Sequence, residues 1–145
     1  MDVHITSASP EDLAAVLVLL ADASLPQAGV AEHFHNFLVA REGGRVVGAV
    51  GLERYGPSAL FRSLVVAPEY RGRGLGRALT ERMLDEARKT GTKRLFLLTE
   101  TAEEFFPKFG FKRIRREEAD AEVQQSAEFR TACCSTDVCM RLDLA

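Results

Sequence analysis

The chain has 145 residues, 46% of them hydrophobic, which is enough for one domain over residues 1–145 built round one core. Its net charge is −2 and its basic residues are scattered among acids, so no electrostatic footprint for nucleic acid stands out; no apolar run is long enough to span a bilayer either. The longest such run, Leu13 to Ala21, follows Glu11 and Asp12 rather than a basic flank, and the three cysteines are an odd set crowded into 133–139, so a soluble, cytoplasmic protein with reduced thiols is expected.

In chain order, the sequence predicts a short strand from Val3 to Thr6 and then a helix with Ser9 as N-cap and Pro10 at its first position. Leu13, Val16, Leu17 and Leu20 give that helix its apolar stripe. Ala31 to His35 reads as a second short helix, and Phe37 to Ala40 as a strand that turns at Gly43-Gly44 into an antiparallel partner, Val46 to Leu52. Gly56-Pro57-Ser58 turns the chain again into a strand from Ala59 to Val66. After Pro68 a glycine-rich turn opens a long helix that runs to about Lys89, with Leu75, Ala78, Leu79, Met83 and Ala87 facing inward. Leu95 to Leu98 reads as a buried strand, Ala102 to Phe109 as a short helix closed by Gly110, and Val138 to Leu142 as a last strand. Glu117 to Arg130 is polar and ambiguous.

The turn between the strand ending at Val66 and the long helix carries the chemistry. Gly72, Gly74 and Gly76 let the backbone approach an oxyanion at a helix N-terminus, where N–H groups lack intrahelical partners, while Arg71, Arg73 and Arg77 supply positive charge. Walker A chemistry needs Gly-Lys-Ser/Thr, which is absent. A dinucleotide fingerprint also fails, because Arg77 or Leu79 falls where its third glycine belongs.

The segment Leu64-Val65-Val66-Ala67-Pro68-Glu69-Tyr70-Arg71-Gly72-Arg73-Gly74-Leu75-Gly76 resembles the coenzyme A signature of the GCN5-related N-acetyltransferases (GNATs), whose core is Arg/Gln-x-x-Gly-x-Gly/Ala. Arg71, Gly74 and Gly76 match that core, and the order of elements around it is similar along nearly the whole chain. The resemblance implies an α/β fold with a mixed, mostly antiparallel central sheet flanked by helices. It also implies acetyl-CoA as co-substrate, with backbone groups of Leu64, Val65 and Val66 on the pantetheine arm and the turn Arg71, Gly72, Arg73, Gly74, Leu75, Gly76 and Arg77 on the pyrophosphate. Phe105-Phe106-Pro107-Lys108-Phe109-Gly110-Phe111 resembles the aromatic helix that lies beside the acyl-donor thiol. The family often has a thiolate-protonating tyrosine four residues before the glycine of its Gly-Phe pair; here Phe106 stands in that place.

Acetyl transfer to an amine requires a neutral nitrogen, and Glu53 is the candidate base, acting directly or through water. The other reading of Glu53 is a solvated strand-end carboxylate. The family often carries an acid near the start of the next strand, where this chain has Leu60. Arg62 and Ser63 interrupt an apolar strand, so one of them is expected to face a polar cleft or a sheet edge; a guanidinium there can clamp a substrate carboxylate, unless it faces outward on an alternating strand. His33 and His35 lack metal-ligand spacing, and no metal is expected.

Within the family, Arg62-Ser63-Leu64, Leu98-Thr99-Glu100-Thr101-Ala102 and the Phe-Phe helix are similar to the branch that acts on amino acids. Ser126-Ala127-Glu128-Phe129 with the cysteine tail resembles a group associated with arsenic resistance, some of whose relatives acetylate arsenic- or phosphorus-containing amino acids. The partner implied is a small-molecule amine, with neither nucleic acid nor membrane, and a homodimer stays open. Two alternatives remain: a non-catalytic acyl-CoA-binding regulator, and an arsenite- or metal-binding module built on Cys133, Cys134 and Cys139.

Overall fold

The computed structural model describes residues 2–100, 102, 104–131 and 137–144. Its elements are β1 (Val3–Ser7), α1 (Leu13–Asp22), α2 (Val30–His33), β2 (Leu38–Glu42), β3 (Arg45–Tyr55), β4 (Ser58–Val66), α3 (Leu75–Lys89), β5 (Arg94–Thr99), β6 (Lys112–Ile114), α4 (Ala121–Gln124), α5 (Ala127–Thr131) and β7 (Val138–Asp143). The strands form a mixed seven-stranded sheet in the order β1-β2-β3-β4-β5-β7-β6. β4 and β5 run parallel, and the other described pairings are antiparallel. The fold class expected from the sequence is the one observed.

The described residues gather into two compact units, one of residues 1–52 and 62–86 and the other of residues 53–61 and 87–145. In the first unit, β1 pairs with β2 and β2 with β3, the latter through the tight turn at Gly43-Gly44. Val16 and Leu20 of α1, Val30 of α2, Phe34 and Phe37 pack with Val39, Ala49 and Val65 into one apolar cluster. Close approach fixes this packing: a Cβ on Gly51 would fall 2.2 Å from the Phe37 ring, and one on Gly48 would meet Leu79 of α3 at 3.1 Å. Gly48 and Ala49 point to opposite faces of β3, so α3 covers one face of this unit and α1 and α2 the other. The chain enters α1 through a 3₁₀ turn, Pro10–Asp12. Its capping box closes when the Ser9 backbone N–H donates to Asp12 at 2.9 Å.

In the second unit, β7 lies between β5 and β6, and Leu60, Phe96, Ala119, Val123, Phe129 and Cys139 form the core. The ambiguous stretch resolves into a 3₁₀ turn at Arg116–Glu118 followed by α4 and α5.

Two local expectations need correction. Ala78 is exposed, and Thr80 is buried in its stead; its hydroxyl satisfies itself on the Gly76 carbonyl at 2.8 Å, which is how a polar residue sits on the buried face of a helix. The helix predicted from Ala102 to Phe109 is only a 3₁₀ turn, Phe106–Phe109, because Pro107 removes a backbone donor. Thr101 and Glu103, from the same stretch, lie outside the described residues, as do Cys133 and Cys134.

Candidate active site

In the first unit the site is the turn between β4 and α3. A 3₁₀ turn, Pro68–Tyr70, leaves the strand, and Gly72 and Gly74 follow with φ of +78° and +82°, a region that side chains with a Cβ rarely adopt. A Cβ added to either glycine would meet nothing within 4 Å, so this backbone faces open space. Gly74 accepts the first helical bond, from Ala78 N–H at 3.0 Å, which leaves the amides at the start of α3 aimed out of the helix end. Arg71 ties the turn back to the strand, its Nε donating to the Val66 carbonyl at 3.1 Å. Arg73 lies over the Tyr70 ring at 5.4 Å, and Arg77 pairs with Glu81 at 3.3 Å. The buried Tyr70 donates to Glu42, a bond that raises its phenol pKa. Open amides, fixed left-handed glycines and exposed guanidiniums fit a pyrophosphate.

Arg62 and Ser63 belong to the same unit, and both are buried rather than outward-facing. Ser63 adopts φ +62°, a backbone irregularity in β4 at the point where the polar pair interrupts the apolar strand. Arg62, 3% exposed, donates from Nη1 to the Ala28 carbonyl at 2.7 Å, from Nη2 to the Pro26 carbonyl at 3.1 Å and from Nε to Ser63 Oγ at 2.9 Å. Leu64, Val65 and Val66 complete the strand, with Val65 in the apolar cluster.

In the second unit, Glu53 is 1% exposed, because β3 runs on to Tyr55 and keeps the carboxylate inside the sheet; it is not a solvated strand end. The Tyr55 hydroxyl donates to Glu53 Oε1. Tyr55 was missed in the sequence, although alternation along the strand puts residues 53 and 55 on one face. The register of β4 with β5 covers Ser58–Leu60, and β4 runs on beyond it. Phe106 is buried edge-on against Phe61 at 5.7 Å and Phe111 at 5.7 Å, with Phe105 alongside. Cys139 is buried, which pushes its thiol up to about 11 and makes it a poor metal ligand. Among the described residues no group of His, Cys, Asp or Glu could hold a metal ion, and no helix is long and apolar enough to cross a membrane.

Residues 33–113 match the family model described as the acetyltransferase (GNAT) domain. An uncharacterized N-acetyltransferase of Chlorobaculum tepidum is 35% identical over 61% of this chain and 57% of its own length. An amino-acid acetyltransferase of Mycobacterium tuberculosis is 36% identical over 66% and 52%. The chain thus spans about half the length of these curated relatives. Among solved structures, an N-acetylglutamate synthase from Neisseria gonorrhoeae, complexed with coenzyme A and N-acetyl-glutamate, superposes with a TM-score of 0.85 at 21% identity, over 100% of this chain and 36% of that one. Rv2747 from Mycobacterium tuberculosis, in complex with CoA, gives 0.82 at 26% identity, over 98% and 99%.

Proposed function

The chain belongs to the GNAT acetyltransferase family, and on that premise we propose that it transfers an acetyl group from acetyl-CoA to the amine of a small molecule, by direct attack. The observation that carries this reading is the turn at 71–77, where two left-handed glycines, open helix-end amides and exposed arginines sit at the end of β4. Acetyl-CoA would supply an activated thioester, whose carbonyl carbon accepts the amine lone pair as the carbon–sulfur bond breaks. The chain's own residues do the rest. Amides at the start of α3, with Arg71, Arg73 and Arg77, hold the pyrophosphate. Backbone groups of Leu64, Val65 and Val66 pair with the pantetheine arm, a reading supported by β4 running past its register with β5.

Glu53 takes the proton from the ammonium, directly or through water, and the Tyr55 hydroxyl fixes the orientation of its carboxylate. Phe106 has no proton to give, so the departing thiolate is protonated from solvent or by the amine. We assign Phe106 to the apolar wall near the thioester, a role its buried aromatic neighbours suit.

The acceptor we favour is an amino acid, with arsenic- or phosphorus-containing analogues as a narrower possibility; the similarity to an amino-acid acetyltransferase supports the class. The experiment is thiol release from acetyl-CoA with a panel of amino acids, their decarboxylated amines and phosphinic or arsinic analogues. Release with an amino acid supports the reading. Tight acetyl-CoA binding without release for any amine supports the acyl-CoA-binding regulator, which the phenylalanine at 106 favours.

A further inference from the structure

We propose that Arg62 is a positioning residue: it straps the connection between α1 and α2 to β4 and so sets the wall against which the acceptor amine binds. The proposal rests on the acetyltransferase reading for its second half only. Pro26, Gln27 and Ala28 expose their side chains, yet the Pro26 and Ala28 carbonyls turn inward onto the Arg62 guanidinium. A buried cation needs dipoles around it, and these carbonyls supply them, so the strand and the connection stabilise each other's geometry. Residues with left-handed backbone bracket the connection, Ser24 at φ +58° and Gly29 at φ +83°, which gives it a defined start and finish. Short-range bonds close each end, Leu25 N–H donating to the Leu20 carbonyl at 2.9 Å and Val30 N–H to the Gln27 carbonyl at 3.2 Å.

The strap also lies on an informative side. α3, whose N-terminus carries the pyrophosphate turn, packs on the Gly48 face of β3, while α1 and α2 pack on the Ala49 face. Arg62 reaches the α1–α2 side. It stands two residues before Leu64 in the strand assigned to the pantetheine arm, with Ser63 between them, so the residue that shapes the strap sits next to the thioester end of the cofactor strand.

The test uses the full chain carrying Arg62→Lys, which keeps the charge but cannot bridge both carbonyls with a planar fork. Hydrogen exchange at the Leu25 and Val30 amides is expected to accelerate about tenfold. The acceptor KM should rise about tenfold, equally for an amino acid and for its decarboxylated amine, with kcat and acetyl-CoA affinity changed less than about twofold. Unchanged exchange at both amides would overturn the strap. A KM increase confined to the carboxylate-bearing amine would overturn the positioning role and make Arg62 a direct carboxylate clamp. Should Arg62→Lys fail to fold, Arg62→Gln, whose amide can hold one carbonyl without burying a charge, is read by the same two measurements. Exchange decides the strap even if no amine in the panel is acetylated, so that failure of the parent reading is seen separately.

Discussion

At the scale of single residues, the proposed base, Glu53, is a carboxylate with almost no exposure. Glu53→Gln should keep acetyl-CoA binding and lower turnover by about 10²-fold at neutral pH, because a base that removes the ammonium proton contributes on that order. The defect should narrow as pH approaches the acceptor amine's own pKa, where free amine no longer depends on the enzyme; a pH–rate profile of both proteins checks it, and a constant ratio across the range removes Glu53 as the base. Tyr55→Phe should cost less, about tenfold or below, since it disturbs only the carboxylate's orientation. Glu53 was legible as an acid at the end of an apolar strand, but its burial was not. Where the strand ended decided that, and strand ends are set by pairing with neighbours rather than by local composition. Arg62 was likewise visible as an oddity, whereas the carbonyls it holds lie more than thirty residues away in sequence and no local pattern announces them.

At the scale of elements, the turn and helix α3 were almost fully legible, because their signals are local: a proline, glycines where side chains are unwelcome, and a 3.6-residue apolar period. Helix α3 ends at Lys89, as the sequence indicated. Gly74→Asp should therefore abolish measurable acetyl-CoA binding while the protein stays folded, since it puts a negative charge and a strained φ at the proposed anion site; calorimetry showing parent-like affinity would refute the site. Gly48→Ala tests a different property of the same element. Its methyl would press on the Leu79 side chain and on the Val65 carbonyl, each 3.1 Å away, so these neighbours must give by a few tenths of an ångström, and stability should fall by about 1–3 kcal/mol in denaturant titrations. The short 3₁₀ turns were not legible, because one turn leaves too few residues for a period to show.

At the scale of the whole molecule, acid tolerance should depend on a part-buried ion pair. Arg41 donates to both carboxylate oxygens of Asp12, at 2.7 and 2.5 Å, and holds that carboxyl at about 2 against an ordinary 3.8. A depressed folded pKa adds stability above the unfolded value, about 2 kcal/mol here, and that increment is lost as pH falls from about 4 towards 2. Asp12→Asn should lower unfolding free energy by about that amount at pH 7, and the gap from the parent should close on approach to pH 2; an equal gap at both pH values would mean that the pair's charge is not what stabilises.

The position of β7 has a consequence for the order in which the polypeptide acquires structure. Residues 138–143 pair with β5 on one side and β6 on the other, so β6 reaches its neighbour in the sheet through a strand made after it. During synthesis, β5 and β6 must wait for that late strand, and a nascent chain released after residue 131 keeps one edge of β5 open for association with other chains. Folding of this unit is then a late, long-range event whose speed is governed by loop closure rather than by helix formation.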